Sequence, residues 1–346
     1  MSNLLKYCLK GFAAAAVVLA TFACGDASRP QDTSGTLEKS LVKIGVGGQS
    51  QFIYLPLTLA HQLGYFKELG LTVEIFDLKG GSEALAALAG GSVDVVTGFY
   101  EHTIRTQVRG KLLKMFILFD RYPGMVLMVG KKHVDRVRSI RDLAGRPVGV
   151  TAPGSSTDAM VKYLLKQNGL DPQAIPVVAA GTTTIIAAIA QERVWAGVTV
   201  DPIAFKMEND GIAVPLYDTR TAEGSRQVFG GIWPAGGFYS SDEFIKQNPH
   251  TVLALAKAGI KTLRYIHSHS AEEIALQVPE SFLAGSKDRY VASLKANLGM
   301  FSQDGLMPPE GPPNVMKTLQ LVDPRITPEV VDLEKTYDNS FVRQPN

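Results

Sequence analysis

Three loops in this chain join glycine to hydroxyl residues just ahead of apolar, helix-like stretches: Gly80-Gly81-Ser82, Gly154-Ser155-Ser156-Thr157 and Gly181-Thr182-Thr183. At a helix N-terminus, unpaired N–H groups and the helix dipole favour a carbonyl oxygen or a negative charge. Glycine lets the backbone approach a ligand closely, and a hydroxyl adds a donor. Gly81, Ser82, Ser155, Ser156 and Thr182 are therefore candidate ligand contacts. Ordinary helix capping explains the same words, with Ser82 as a cap.

Other candidates mix amides, aromatics and charge. In Gln49-Ser50-Gln51-Phe52-Ile53-Tyr54, Gln51 can hydrogen-bond a solute while Phe52 or Tyr54 covers an apolar face; the alternative is that both rings are core. Phe99-Tyr100-Glu101-His102 places an aromatic, a carboxylate and an imidazole together. Glu101 also precedes Arg105 by one turn, so a helix ion pair or a helix-dipole role competes with ligand contact. Asp201-Pro202 ends a strand and either faces a cleft or starts a helix. Arg121, Tyr122 and Trp233 suit a flat solute or the packing of a hinge. The charges disagree: helix N-termini and Arg121 favour an anion, whereas Glu101 and Asp201 favour an amine. A small organic solute, a sulfonate, carboxylate or aminopyrimidine-like molecule, fits this mixture better than an inorganic oxyanion.

Catalytic patterns are absent from the sequence. The two cysteines are Cys8 and Cys24, so neither a disulfide framework nor a cysteine cluster is available. His267 and His269 flank Ser268 near a helix end, where helical geometry turns them to different faces. No Gly-x-Ser-x-Gly elbow or phosphate-binding Gly-Lys-Ser/Thr word occurs. No catalytic residue, metal or cofactor is expected. The 35 Lys and Arg against 33 Asp and Glu balance once Lys6 and Lys10 are set aside, giving no basic excess for nucleic acid or anionic membrane.

Lys6 and Lys10, the apolar run Gly11–Ala23 and the following Cys24-Gly25 read as a secretory signal over residues 1–23. Cys24 is a candidate lipidation site, although Thr21 stands where a lipoprotein signal prefers an aliphatic residue. Residues 24–40 read as a tether. From Leu41, short apolar strands alternate with helices: strands at Leu41–Val46, Leu71–Phe76 and Val93–Val96, and helices at Pro56–His61 and Glu83–Ala89. That order predicts an α/β fold of parallel-rich sheets with helical cover. Gly81–Ala89 leading to Val93-Asp94-Val95 is echoed by Thr182–Ala190 leading to Val194-Trp195-Ala196. Ile44-Gly45-Val46 is echoed by Val148-Gly149-Val150. Two like lobes follow: residues 41–124 with 235–346, and residues 125–234, joined by two crossing segments near Tyr122–Leu127 and Trp233–Phe238. Ser241–Ser268 and Ala271–Leu294 read as helical, the second broken near Pro279, and the end reads as helical up to Thr336.

Several words in this order resemble the solute-binding proteins of bacterial ABC importers, in the nitrate/sulfonate/taurine and thiamine-precursor binding family. They are Lys43-Ile44-Gly45-Val46, Gly64-Tyr65-Phe66 with Gly70-Leu71, Gly81-Ser82 with Ala84-Leu85, Gly91-Ser92-Val93-Asp94-Val95, Leu143–Val150 and Asp201-Pro202. The resemblance implies a two-lobed periplasmic-binding-protein fold (type II-like) with a two-strand hinge that closes on a small solute. It also implies delivery to an ABC permease and its ATPase. A monomer outside the cytoplasm, in the periplasm or at the cell surface and anchored through a lipid on Cys24, is expected. Two other functions stay open: a ligand sensor acting through a partner protein, and an enzyme like the fungal relatives that make a thiamine pyrimidine. Those fungal enzymes use a cysteine-rich motif and iron, which this sequence lacks.

Overall fold

A computed structural model describes residues 35–344; the expected signal, Cys24 and the first part of the tether lie outside the described residues. Thr36–Asn346 forms one compact unit. The last residues of the expected tether are pinned to it. Glu38 accepts from the backbone N–H groups of His250 and Thr251, and Lys39 Nζ pairs with Asp94 at 2.6 Å.

Two five-stranded sheets carry the fold. The first contains β1 (Leu41–Val46), β2 (Thr72–Asp77), β3 (Val95–Phe99), β4 (Leu113–Leu118) and β10 (Gly236–Ser241), in the order β2-β1-β3-β10-β4. The second contains β5 (Val126–Gly130), β6 (Val148–Val150), β7 (Val177–Ala179), β8 (Ala196–Thr199) and β9 (Ala213–Asp218), in the order β7-β6-β8-β5-β9. In each sheet four strands run in one direction, and one strand arriving from a crossing segment pairs antiparallel with both its neighbours. The central strands β3 and β8 are buried along their whole length, as the apolar runs of a sheet covered on both faces require. The sequence echo is thus a repeat of topology: β1 and β6, and β3 and β8, hold equivalent places.

The helices are α1 (Leu55–Gln62), α2 (Tyr65–Glu68), α3 (Gly81–Ala89), α4 (Glu101–Gln107), α5 (Ser156–Gln167), α6 (Ile185–Ala190), α7 (Ile203–Asn209), α8 (Ala222–Phe229), α9 (Asp242–Gln247), α10 (Pro249–Ser268), α11 (Ala271–Ala275), α12 (Lys287–Asn297), α13 (Gly311–Val322) and α14 (Ser340–Arg343). Pro249 opens α10, where its missing N–H has no partner to lose. This longest helix covers α1, α2 and β4 of the first lobe.

Four expectations need adjusting. The third strand begins two residues later and runs through Thr97-Gly98-Phe99, because Asp94 turns to bond Lys43 and β10 extends the pairing to Phe99. Gly236–Phe238, expected as a connection, is strand; its glycines let it run tight against Asp120, Ile53 and Ile117, with no space for a Cβ. The C-terminal end is not helical to Thr336: α13 stops at Val322, ahead of Asp323-Pro324. Nor do all late helices pack on the first lobe alone. The buried stripe Val315, Met316 and Leu319 seats α13 on α5 of the second lobe as well as on α4.

Candidate functional site

Four parallel strands end at one place. Gly47 follows β1, Phe99 closes β3, Thr151 follows β6 and Val200 follows β8; with Gln51, Tyr54, Gly81, Ser155, Ser156 and Thr157 they line a cavity between the lobes. Open α/β sheets bind ligands beyond such carboxyl ends. The N-termini of α3 and α5 open onto the same space, one from each lobe. The cavity measures about 10 Å³, close to a single water-sized sphere. Ligand pockets are roughly 300–1,000 Å³. As it stands, the space is too small for a sulfonate or a pyrimidine.

The lobes meet through named contacts. Ser156 Oγ donates to Glu101 Oε1 at 2.8 Å, and Arg105 Nη1 donates to the carbonyl of Gly154 at 2.9 Å. Phe52 N–H donates to the Asp201 carbonyl at 2.9 Å. A Cβ on Gly80 would sit 2.9 Å from the Ala152 methyl, and one on Gly48 would overlap the Thr182 methyl. Glycine at both positions is what lets the two backbones touch.

Of the eleven sequence candidates, five line the cavity: Gln51, Tyr54, Gly81, Ser155 and Ser156. Gln51 Nε2 has no hydrogen-bond partner among the described residues and is a free donor there. Tyr54 is fully buried, and burial with the Asp120, Asp77 and Glu101 charges pushes its phenol upward, so it remains a neutral donor. Ser155 precedes α5 but does not cap it. Its hydroxyl donates to the Ala152 carbonyl at 2.6 Å and joins a ring with Thr151 and Thr157. Ser82 is no cap either: α3 starts at Gly81, and Ser82 faces Gly154 across the cleft. Thr182 sits half-buried against Gly48.

The structure places the rest elsewhere. Phe52 is buried with its ring edge-on to Tyr290, centroids 4.9 Å apart. Tyr100 turns away, its hydroxyl 2.5 Å from Thr336 Oγ1. Asp201 is spent on structure: Oδ1 accepts from Phe205 N–H, Oδ2 accepts from Asn297 Nδ2 at 2.6 Å, and Arg220 stands 3.5 Å away. Trp233 stacks on Phe229 and donates to Thr318, packing the return crossing.

Glu101 lies behind Ser156, fully buried. Burial pushes its carboxyl upward, but Arg105 and the Ser156 hydroxyl outweigh that and hold it below the ordinary range. Burial lowers the adjacent His102, whose Nδ1 meets the Tyr239 hydroxyl at 2.8 Å, so the imidazole is neutral and the anion's cation is Arg105. The ion pair one turn along α4, visible in the sequence, is real. Its extension to Ser156 and Gly154 makes it a contact between lobes.

Sequence reasoning missed Thr151 and Val200, which stand one step past their strand ends; that position was the available signal. It also missed Asp120. This residue is wholly buried at the outgoing crossing beside Gly236, and neither carboxyl oxygen has a hydrogen-bond partner among the described residues. Burial pushes its pKa well above the ordinary range.

Comparison with known proteins finds relatives of the same fold. A solved structure from Bordetella bronchiseptica RB50 is 37% identical, with a TM-score of 0.87, covering 89% of this chain and 98% of that one. The alkanesulfonate-binding protein SsuA from Xanthomonas axonopodis pv. citri, bound to MOPS, shares the fold at 19% identity and a TM-score of 0.67, covering 88% of this chain and 100% of its own. A Saccharomyces cerevisiae protein, 4-amino-5-hydroxymethyl-2-methylpyrimidine phosphate synthase THI11, is 23% identical over 62% of this chain, and the match spans 63% of the synthase's length. The family model described as NMT1/THI5 like matches residues 51–273, from the first cleft loop into α11. The chain belongs to the NMT1/THI5-like family.

Proposed function

We propose that this protein is the extracytoplasmic solute-binding component of an ABC importer, closing two lobes, residues 41–124 with 235–346 and residues 125–234, on a small organic solute for delivery to a permease. One observation carries the reading: a cavity at four strand ends takes its walls from both lobes, so a solute that touches both favours the closed form. The fold shared with SsuA supports it. The wall chemistry favours an acceptor-bearing solute, a sulfonate or carboxylate, over an aminopyrimidine. Two helix N-termini and the Gln51 amide face the space, while Glu101 and Asp201 are engaged by Ser156, Arg105, Asn297 and Arg220.

The test is a thermal-shift screen of residues 36–346 against sulfonates, aromatic carboxylates, aminopyrimidines, nitrate and bicarbonate. A ligand at about 100 times its dissociation constant stabilises the fold by about 2.7 kcal/mol. A sulfonate or carboxylate shift that Gln51→Leu abolishes is the expected result. A shift confined to aminopyrimidines would overturn the acceptor assignment and give weight to an activity like that named for the yeast synthase. A shift from none, with retained binding to a partner protein, would favour the sensor.

We also propose that export follows cleavage before Cys24 and that this cysteine carries the lipid. Metabolic labelling with a palmitate analogue should mark the intact chain and not Cys24→Ser; equal labelling of both rejects the anchor.

A further inference from the structure

The near balance of charge along the whole chain conceals a local excess. Between Lys131 and Arg146 stand six basic residues, Lys131, Lys132, Arg136, Arg138, Arg141 and Arg146, against Asp135 and Asp142. All six are exposed. Asp142, also exposed, accepts from the N–H groups of Arg138 and Ser139 in a capping box. Glu192 pairs with Lys132. Among the described residues Lys131, Arg136, Arg141 and Arg146 have no carboxylate within 4.0 Å.

The second observation is how two of these cations are held. The Arg146 guanidinium lies 4.4 Å from the centre of the Trp195 ring, and that of Arg136 lies 5.8 Å from it. His133 stacks on the same indole, 4.1 Å away and within 3° of parallel. Burial and the neighbouring Arg136, Lys132 and Arg146 lower the imidazole, so this ring adds no charge and serves as a backing plate. One indole thus gathers two guanidiniums that repel each other, and among the described residues neither has a carboxylate within 4.0 Å. Such an arrangement is stabilised by an external anion. The six exposed cations are spread along a sixteen-residue segment, from the end of β5 to the approach to β6, which suits an extended anionic face better than one small ion.

We propose that this edge of the second lobe docks on the anionic headgroups of a phospholipid membrane. Each Lys or Arg close to such a surface strengthens binding by about fivefold. The docking would set the orientation of the lobe relative to the bilayer, independently of any lipid on the chain and of the solute bound in the cleft.

The experiment is co-sedimentation of residues 36–346, the compact unit that holds both sheets, with two kinds of vesicle. One is phosphatidylcholine alone; the other contains about one part in four phosphatidylglycerol. Binding is expected only to the anionic vesicles, and it should fade as salt rises from about 0.05 M to about 0.5 M. Arg136→Ala with Arg146→Ala should weaken it roughly thirtyfold. Lys131→Ala with Arg141→Ala, which leaves the Trp195 stack intact, should weaken it similarly. Lys67→Ala with Lys111→Ala, exposed on the first lobe, removes the same charge and should leave it unchanged. Equal loss in all three pairs would reduce the effect to net charge and overturn the proposal, as would absence of binding to anionic vesicles. Displacement by inorganic phosphate beyond that of sodium chloride at equal ionic strength would instead assign a small-anion site and also overturn it.

Discussion

Glu101→Ala should destabilise the protein by about 3–5 kcal/mol, the loss expected when one partner of a buried ion pair is removed. Arg105 would keep its bond to the Gly154 carbonyl but lose its counter-ion while remaining largely covered, and Ser156 would lose its acceptor. Because these bonds join the lobes, the closed arrangement should weaken along with the fold. Glu101→Gln keeps an acceptor for Ser156 without the charge and should lose less. The carboxyl titrates below its ordinary range in the folded protein, so its contribution is present above the unfolded pKa and fades as pH falls through the folded one. Thermal melts at neutral and acid pH, with small-angle scattering to follow lobe separation, test this. A melting point unchanged by Glu101→Ala, or a scattering radius that does not grow, would mean that the lobes are held by apolar packing alone.

Asp120→Asn is expected to act in the opposite direction and stabilise the protein at neutral pH. The carboxyl is buried at the outgoing crossing without a partner, and burial raises its pKa. A raised carboxyl favours folding only under acid conditions. The penalty is absent below the unfolded pKa near ~3.9 and grows by about 1.4 kcal/mol per pH unit until the folded group itself ionises. Asparagine has nearly the same shape and no charge to suppress, so the gain over wild type should widen from acid to neutral pH. Denaturant unfolding of both proteins across that range would show it. Parallel stability curves would mean that Asp120 finds a partner in solution.

The sequence exposed what depends on local pattern. Apolar runs such as Leu41–Val46 and Val95-Val96 marked strands, and the paired words around Val46 and Val150 marked equivalent strands of two sheets. The Pro279 break separates α11 from α12 as expected. What it did not expose depends on direction and distance. Nothing in Tyr100-Glu101 tells that the tyrosine turns toward Thr336 while the glutamate turns toward Ser156, since the partners lie 236 and 55 residues away. Asp201 reads equally as a ligand group until Asn297 and Arg220 arrive from remote segments. The basic edge was visible as a run, but averaging over the chain hid it, and Trp195 joins it only in three dimensions.

The placing of β10 and β5 bears on how the molecule assembles. β10 lies between β3 and β4, so the first sheet has a gap in its middle until the chain has traversed the second lobe and returned. β4 therefore cannot join β3 early; its pairing waits for a strand that begins more than a hundred residues later, at Gly236. Contacts so far apart in sequence pay their loop-closure entropy before they reward it, which slows folding. The second sheet has no such delay, because β5 to β9 are consecutive. The second lobe should therefore become ordered first and present a finished surface on which the first is completed. Chains interrupted before Gly236 would carry the unpaired flanks of β3 and β4, open to pairing with other chains.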